Sequence, residues 1–122
     1  MRDSPANQLE TALTRLARQV AKARDLPPAH SKTAKIMSQG RKKAAKKVIE
    51  EAAEVAMEGY AGHHGRLVVE SADLLYNLSV LWVMNGVSLS DIAAEMQKRE
   101  DMLGIAEKWP KKKSRDSLRS VR

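Results

Sequence analysis

Two carboxylate clusters carry the chemistry of this 122-residue chain: Glu50-Glu51-x-x-Glu54 and Glu70-x-x-Asp73, with fifteen residues between them. Side chains three positions apart on an α-helix share a face and are separated by about 4.5 Å along its axis. Glu51 with Glu54, and Glu70 with Asp73, therefore each make a two-carboxylate claw. Apolar stripes run through both: Val48 and Val55 flank Glu51 at helical offsets, and Leu67, Leu74, Leu78 and Leu81 do the same for Glu70. The claws are expected to point inward. Ionised carboxylates close to one another and to an apolar seam are costly without a compensating cation, through desolvation and mutual repulsion. Magnesium fits, since it takes oxygen ligands, keeps several waters and bridges carboxylates to substrate phosphates. Either cluster alone reads as solvated charge on a lysine-rich helix. Together, with a tight turn between them, they predict a metal site made of Glu51, Glu54, Glu70 and Asp73.

The elements that must position these acids follow from periodicity and breakers. A first helix is expected over roughly 8–24, with Leu9, Leu13, Leu16 and Val20 on one stripe, stopped by Pro27-Pro28. A short helical turn from about Ser31 to Ser38 closes at Gln39-Gly40, with glycine in a left-handed cap. A long helix near 42–60 carries the first claw, and Gly62-His63-His64-Gly65 makes the loop to another near 66–85, which carries the second. So short a loop forces an antiparallel hairpin, and both claws then lie at matching height from the turn. Gly86 ends that helix, Ser88-x-x-Asp91 resembles a capping box, and a last helix runs to about Lys108, before Trp109-Pro110. The fold class is all-α, an antiparallel helical bundle whose hairpins are completed by dimerisation.

Composition limits the alternatives. The absence of cysteine removes disulfides, thiolate metal sites and thiol catalysis, and agrees with a reducing compartment. The N-terminus shows no signal peptide, and the longest apolar stretch, Leu74 to Val87, is interrupted by Asn77, Ser79 and Asn85. A soluble cytoplasmic protein is expected, with no membrane partner. Of the net charge of +7, residues 110–122 carry +5 and the preceding 109 residues only +2. The chain thus divides into a domain over 1–109 and a basic, disordered tail over 110–122, and no specific nucleic acid is expected as partner. Trp82 and Tyr76 read as core or dimer-seam residues rather than a nucleotide platform, since the chain has too few aromatics for an interleaved nucleic-acid surface. His63 and His64 read as loop residues, and Gly62 and Gly65 lack the flanking Lys-Ser or Lys-Thr of a phosphate-binding loop.

From Ser31 to Glu107 the sequence resembles the phosphoribosyl-ATP pyrophosphohydrolases of histidine biosynthesis. The resemblance is carried by Ser31-x-Thr33-Ala34-Lys35-Ile36, Gly40, Lys47-x-x-Glu50-Glu51-Ala52-x-Glu54-Val55 and Glu70-x-Ala72-Asp73-Leu74-Leu75-Tyr76. It implies an all-α enzyme of the wider MazG-like superfamily that uses magnesium to cut the bond between the α and β phosphates of a nucleotide. It also implies that Glu51, Glu54, Glu70 and Asp73 are the magnesium ligands and that Glu50 is a catalytic residue that holds a further metal or orients the water. Lys35, Lys46 and Lys47 lie near enough in sequence to bind phosphate oxygens, with Ser31 and Thr33 adding hydrogen bonds.

The chain departs from the family's usual pattern at Lys32, where an aromatic residue is common, at Ile49, commonly glycine, and at Asn77, frequently histidine. Ile49 beside Glu50 is expected to narrow the helix approach. The function these residues predict is hydrolysis of phosphoribosyl-ATP to phosphoribosyl-AMP and pyrophosphate by a homodimer. The alternatives are a MazG-type house-cleaning nucleoside triphosphate pyrophosphohydrolase and a non-catalytic helical module that binds through its lysine-rich surface and tail.

Overall fold

Consecutive prolines, a serine cap and three glycines at positive φ punctuate an otherwise helix-forming chain. The computed structural model describes residues 5–106. Among them are five α-helices and no strand: α1 (Pro5–Ala23), α2 (Lys32–Ser38), α3 (Arg41–Ala61), α4 (His64–Met84) and α5 (Leu89–Ala106). The all-α class is as the periodicity predicts. Trp109-Pro110, the end of the last helix near Lys108 and the basic tail lie outside the described residues.

Ser31 is extended, with φ −146° and ψ 122°, and its Oγ accepts a hydrogen bond from the Ala34 N–H at 3.1 Å. That satisfies one of the donors a helix start leaves open and fixes where α2 begins. Gly40 has φ 92° and ψ 167°, outside the left-handed helical region expected of it, and serves as the N-cap of α3, while Gln39 closes α2 in a right-handed conformation. Gly62 does take the left-handed conformation, φ 76°, and the His63 N–H reaches back to the Glu58 carbonyl at 3.1 Å, closing α3 in the Schellman manner. The His63 carbonyl in turn accepts from the Leu67 N–H at 2.9 Å. This makes His63 the cap of α4, so the loop is only Gly62 and His63, and His64 and Gly65, expected in it, are helical.

Helices α3 and α4 form an antiparallel hairpin. At the end far from the turn, α1 and α2 cover it, and the core gathers there: Val20, Ile36, Ala44 and Val80, with Leu16, Met37, Tyr76, Leu81, Val83 and Met84 packed against them. Ala44, without side-chain bulk, lets the start of α3 approach closely. Burying a side chain such as Val80 contributes about 2 kcal/mol. Leu9, expected on the same stripe of α1 as Val20, is 53% exposed, because the stripe has no partner so near the start of that helix.

Two polar side chains buried on α4 are satisfied locally. The Asn77 side-chain amide donates to the Asp73 carbonyl at 2.9 Å, and the Ser79 hydroxyl donates to the Leu75 carbonyl at 2.8 Å. Asn77 and Ser79 therefore cost little despite their burial.

Helix α5 belongs to a second unit, separate from that of α1 to α4. It begins directly after Ser88, as the cap signal predicts, and carries two bonds at helical spacing, Arg99 to Glu95 at 3.1 Å and Gln97 to Asp101 at 3.2 Å.

Candidate metal centre

The hairpin brings the two acid clusters together. One carboxylate oxygen each of Glu51, Glu70 and Asp73 lies within 4.8 Å of the others. Glu51 and Glu70 are half-buried on the α3/α4 seam, and Asp73 is exposed at its rim. The outlying member, Glu54, is also exposed and falls outside that trio. The inward orientation expected of all four acids is thus corrected to two. Positions three apart on a helix differ by about 60° around its axis, and here that turn leaves Glu54 and Asp73 at the edge of the buried stripe.

The electrostatics of the cluster are those of a site lacking a counter-charge. Glu70 is held above the usual carboxylate range, first by desolvation and then by the repulsion of Glu51, Asp73 and Glu54. Hydrogen bonding to Glu51 further favours its protonated form. The effect of Glu54 on Glu70 shows that the fourth acid contributes to the field even though it stands outside the closest three. The donor set is entirely carboxylate oxygen, the chemistry that a hard divalent cation takes, and a cation would remove the repulsion. The residues fit a hard divalent cation.

The remaining candidates are distributed around this centre. Glu50 is exposed beside Glu51 and outside the trio. Lys46 is exposed and Lys47 half-buried, one turn before Glu50 and Glu51 on α3. Lys35 is exposed on α2. No ion pair among the described residues occupies these three lysines. Ser31 holds the cap of α2, and the Thr33 hydroxyl lies 2.6 Å from the Tyr76 hydroxyl, which ties α2 to α4. Tyr76 packs on the core cluster. Ile49 is 70% exposed on the side of α3 turned away from α4, so it does not narrow the hairpin as expected.

The sequence reading missed one constellation, at the turn. Glu58 is 9% exposed, its Oε1 lies 3.1 Å from His63 Nδ1, and its Oε2 pairs with the guanidinium Nε of Arg66. The Arg66 contact is an ion pair without hydrogen-bond alignment, which leaves that oxygen otherwise unpartnered. The hydrogen bond from His63 is the largest of the effects that hold Glu58 below the usual carboxylate range; desolvation opposes it, and the charge of Arg66 assists. A signal was present. Glu58 continues the stripe of Val48, Glu51 and Val55, and Arg66 precedes Glu70 by one turn.

The fold and this cluster together define a class: an all-α protein whose helical hairpin gathers three carboxylates, with the donor chemistry that a hard cation takes. The family model described as phosphoribosyl-ATP pyrophosphohydrolase matches residues 13–100 of this chain. The chain is 52% identical over 100 residues to phosphoribosyl-ATP pyrophosphatase 2 of Rhodopseudomonas palustris, covering 82% of this chain and 76% of that protein. It is likewise 52% identical over 103 residues to phosphoribosyl-ATP pyrophosphatase 2 of Bradyrhizobium diazoefficiens, covering 84% and 77%. To phosphoribosyl-ATP pyrophosphatase of Gluconobacter oxydans it is 43% identical over 108 residues, covering 88% and 81%. The chain belongs to the phosphoribosyl-ATP pyrophosphohydrolase family and is an enzyme, a hydrolase. The alternative of a non-catalytic helical module falls with that membership.

Proposed function

We propose that this chain hydrolyses the bond between the α and β phosphates of phosphoribosyl-ATP, giving phosphoribosyl-AMP and pyrophosphate, with magnesium held by Glu51, Glu54, Glu70 and Asp73. The observation that supports this most is the convergence of Glu51, Glu70 and Asp73 oxygens within 4.8 Å on consecutive helices, in a chain of this family. When bound, magnesium supplies charge neutralisation and Lewis acidity to the polyphosphate. The rest of the work belongs to the protein. Glu50, exposed beside the cluster, orients the attacking water and accepts its proton as the new P–O bond forms, while the electron pair of the broken bond leaves with the departing phosphate oxygen. Lys35, Lys46 and Lys47 bind phosphate oxygens as mobile point charges. Ser31 accepts a bond through its oxygen and keeps its hydrogen to donate. In the Thr33–Tyr76 pair one hydroxyl hydrogen is likewise left over for substrate.

The same reading makes the protein a homodimer. Helix α3 has two apolar sides: one packs on α4, and the other presents Ile49, Met57 and Tyr60, which are 70%, 58% and 96% exposed. Val68 and Val69 of α4 are exposed as well. Helix α4 is by length and composition alone apolar enough to cross a membrane, yet only 17% of its most apolar 18-residue stretch is buried within one chain. Its acids Glu70 and Asp73 and its pairing with α3 favour a second subunit, rather than lipid, as its cover. We place the enzyme in the cytoplasm.

The test is release of pyrophosphate, measured on phosphoribosyl-ATP and on a panel of nucleoside triphosphates, with and without magnesium. Magnesium-dependent turnover of phosphoribosyl-ATP is expected. Turnover confined to the triphosphates would overturn the substrate, and turnover indifferent to chelation would overturn the metal site.

A further inference from the structure

Arg66 lies one turn before Glu70 on α4, the spacing at which helical side chains meet. It is a cationic side chain spaced to fall into the acid cluster, as Lys47 is before Glu51 on α3, and close-set carboxylates attract it. It does not do so. Its Nε pairs instead with Glu58, which projects from the seam face of α3 one turn beyond Glu54 and also accepts from the His63 ring. Arg66 is largely exposed, with a side chain 73% accessible, so it has the freedom to turn either way, and Glu58 at 12% does not. The fixed carboxylate therefore determines where the mobile cation goes.

We propose that Glu58 is a positioning residue that holds Arg66 away from the acid cluster and so keeps Glu70 and its neighbours open to a divalent ion. The inference rests on the reading of that cluster as a metal site. Glu58 touches neither metal nor substrate. It acts by offering Arg66 a competing carboxylate, with the His63 bond keeping that carboxylate aimed at the turn. Without it, Arg66 pairs with Glu70 and competes with the metal, although the order of arginine before glutamate is the weaker one for a helical pair.

Manganese binding to the full-length protein, followed by electron paramagnetic resonance without nucleotide, tests this in wild type, Glu58→Gln, Arg66→Gln and the double variant. Thermal unfolding of each is recorded by circular dichroism. Glu58→Gln is expected to weaken manganese binding by about two- to fivefold, the size of one exposed ion pair, and the added Arg66→Gln to restore it. A purely structural role would lower the unfolding temperature in both Glu58 variants and give no rescue. Equal manganese affinity in wild type and Glu58→Gln, or a double variant as weak as the single one, overturns the proposal. If wild type shows no saturable manganese binding, the metal-site reading falls, and this inference with it. Should Glu58→Gln fail to fold, Glu58→Asp, which keeps the charge but withdraws it from Arg66, takes its place with the same outcomes.

Discussion

Glu58 and Glu70 are the same residue type on the two arms of one hairpin, and their surroundings drive them in opposite directions. Glu58 is the more buried, yet it lies below the usual carboxylate range because His63 and Arg66 meet it. Glu70 is less buried, yet it lies above that range because desolvation is joined by the repulsion of three more acids. Burial alone does not order the two. What differs is whether the protein itself supplies the counter-charge, and the end where it does not is the end suited to take one from solution.

The largest expected effect separates the two ends by activity. Asp73→Ala should reduce pyrophosphate release at saturating magnesium by about 100-fold or more, the scale on which removal of a group that stabilises developing charge is felt. A comparable loss in Arg66→Ala would erase the distinction between the ends. Next in size is the far core, which serves neither end. Val80→Ala should lower stability in urea by about 2 kcal/mol through the cavity it leaves, with the magnesium requirement unchanged. A variant in Thr33 is milder: Thr33→Val removes the bond to Tyr76 and should cost about 1 kcal/mol, read as a shift in the urea midpoint.

The smallest effect is the sharpest comparison, because it has opposite sign at the two ends. Glu70 has a raised value in the folded chain, so in metal-free protein its contribution is unfavourable at neutral pH and is recovered as pH falls through that value toward the unfolded one, about 4.3. Glu58 has a lowered value, so its contribution is present above about 4.3 and is lost as pH falls further, through the folded value. Metal-free protein should therefore rise slightly in unfolding temperature on mild acidification and then fall. Glu70→Gln should abolish the rise, Glu58→Gln should blunt the fall, and saturating magnesium should flatten the rise in wild type. A monotonic curve without metal would contradict the assignment of opposite shifts.

The sequence revealed the helices and the pairing of the acids because both depend on local rules. Pro27-Pro28, Ser31 and Gly86 act within a turn of themselves, and a short loop leaves antiparallel pairing as the only way for α3 and α4 to pack. It was less informative where rotation about a helix axis matters. Glu54 shares a claw with Glu51 in the pattern, but the seam takes the one and leaves the other at the rim. Ile49 stands next to Glu50 in the chain and faces away from α4 in the fold. The cluster at Glu58 is not legible from the pattern: His63 is a loop residue, as its neighbouring glycines predict, but the capping geometry of Gly62 swings its ring back onto α3. No pattern of residue types reports such a return by itself.

The two-residue connection between α3 and α4 has one more effect. Every proposed ligand lies on consecutive helices, so their alignment is fixed by closure over a short span and owes little to the distant packing around Val20 and Val80. Injury to that packing should thin the population of folded molecules while each survivor keeps its grip on the ion, so that metal capacity lost after such changes counts the missing molecules and says nothing of damaged ligands.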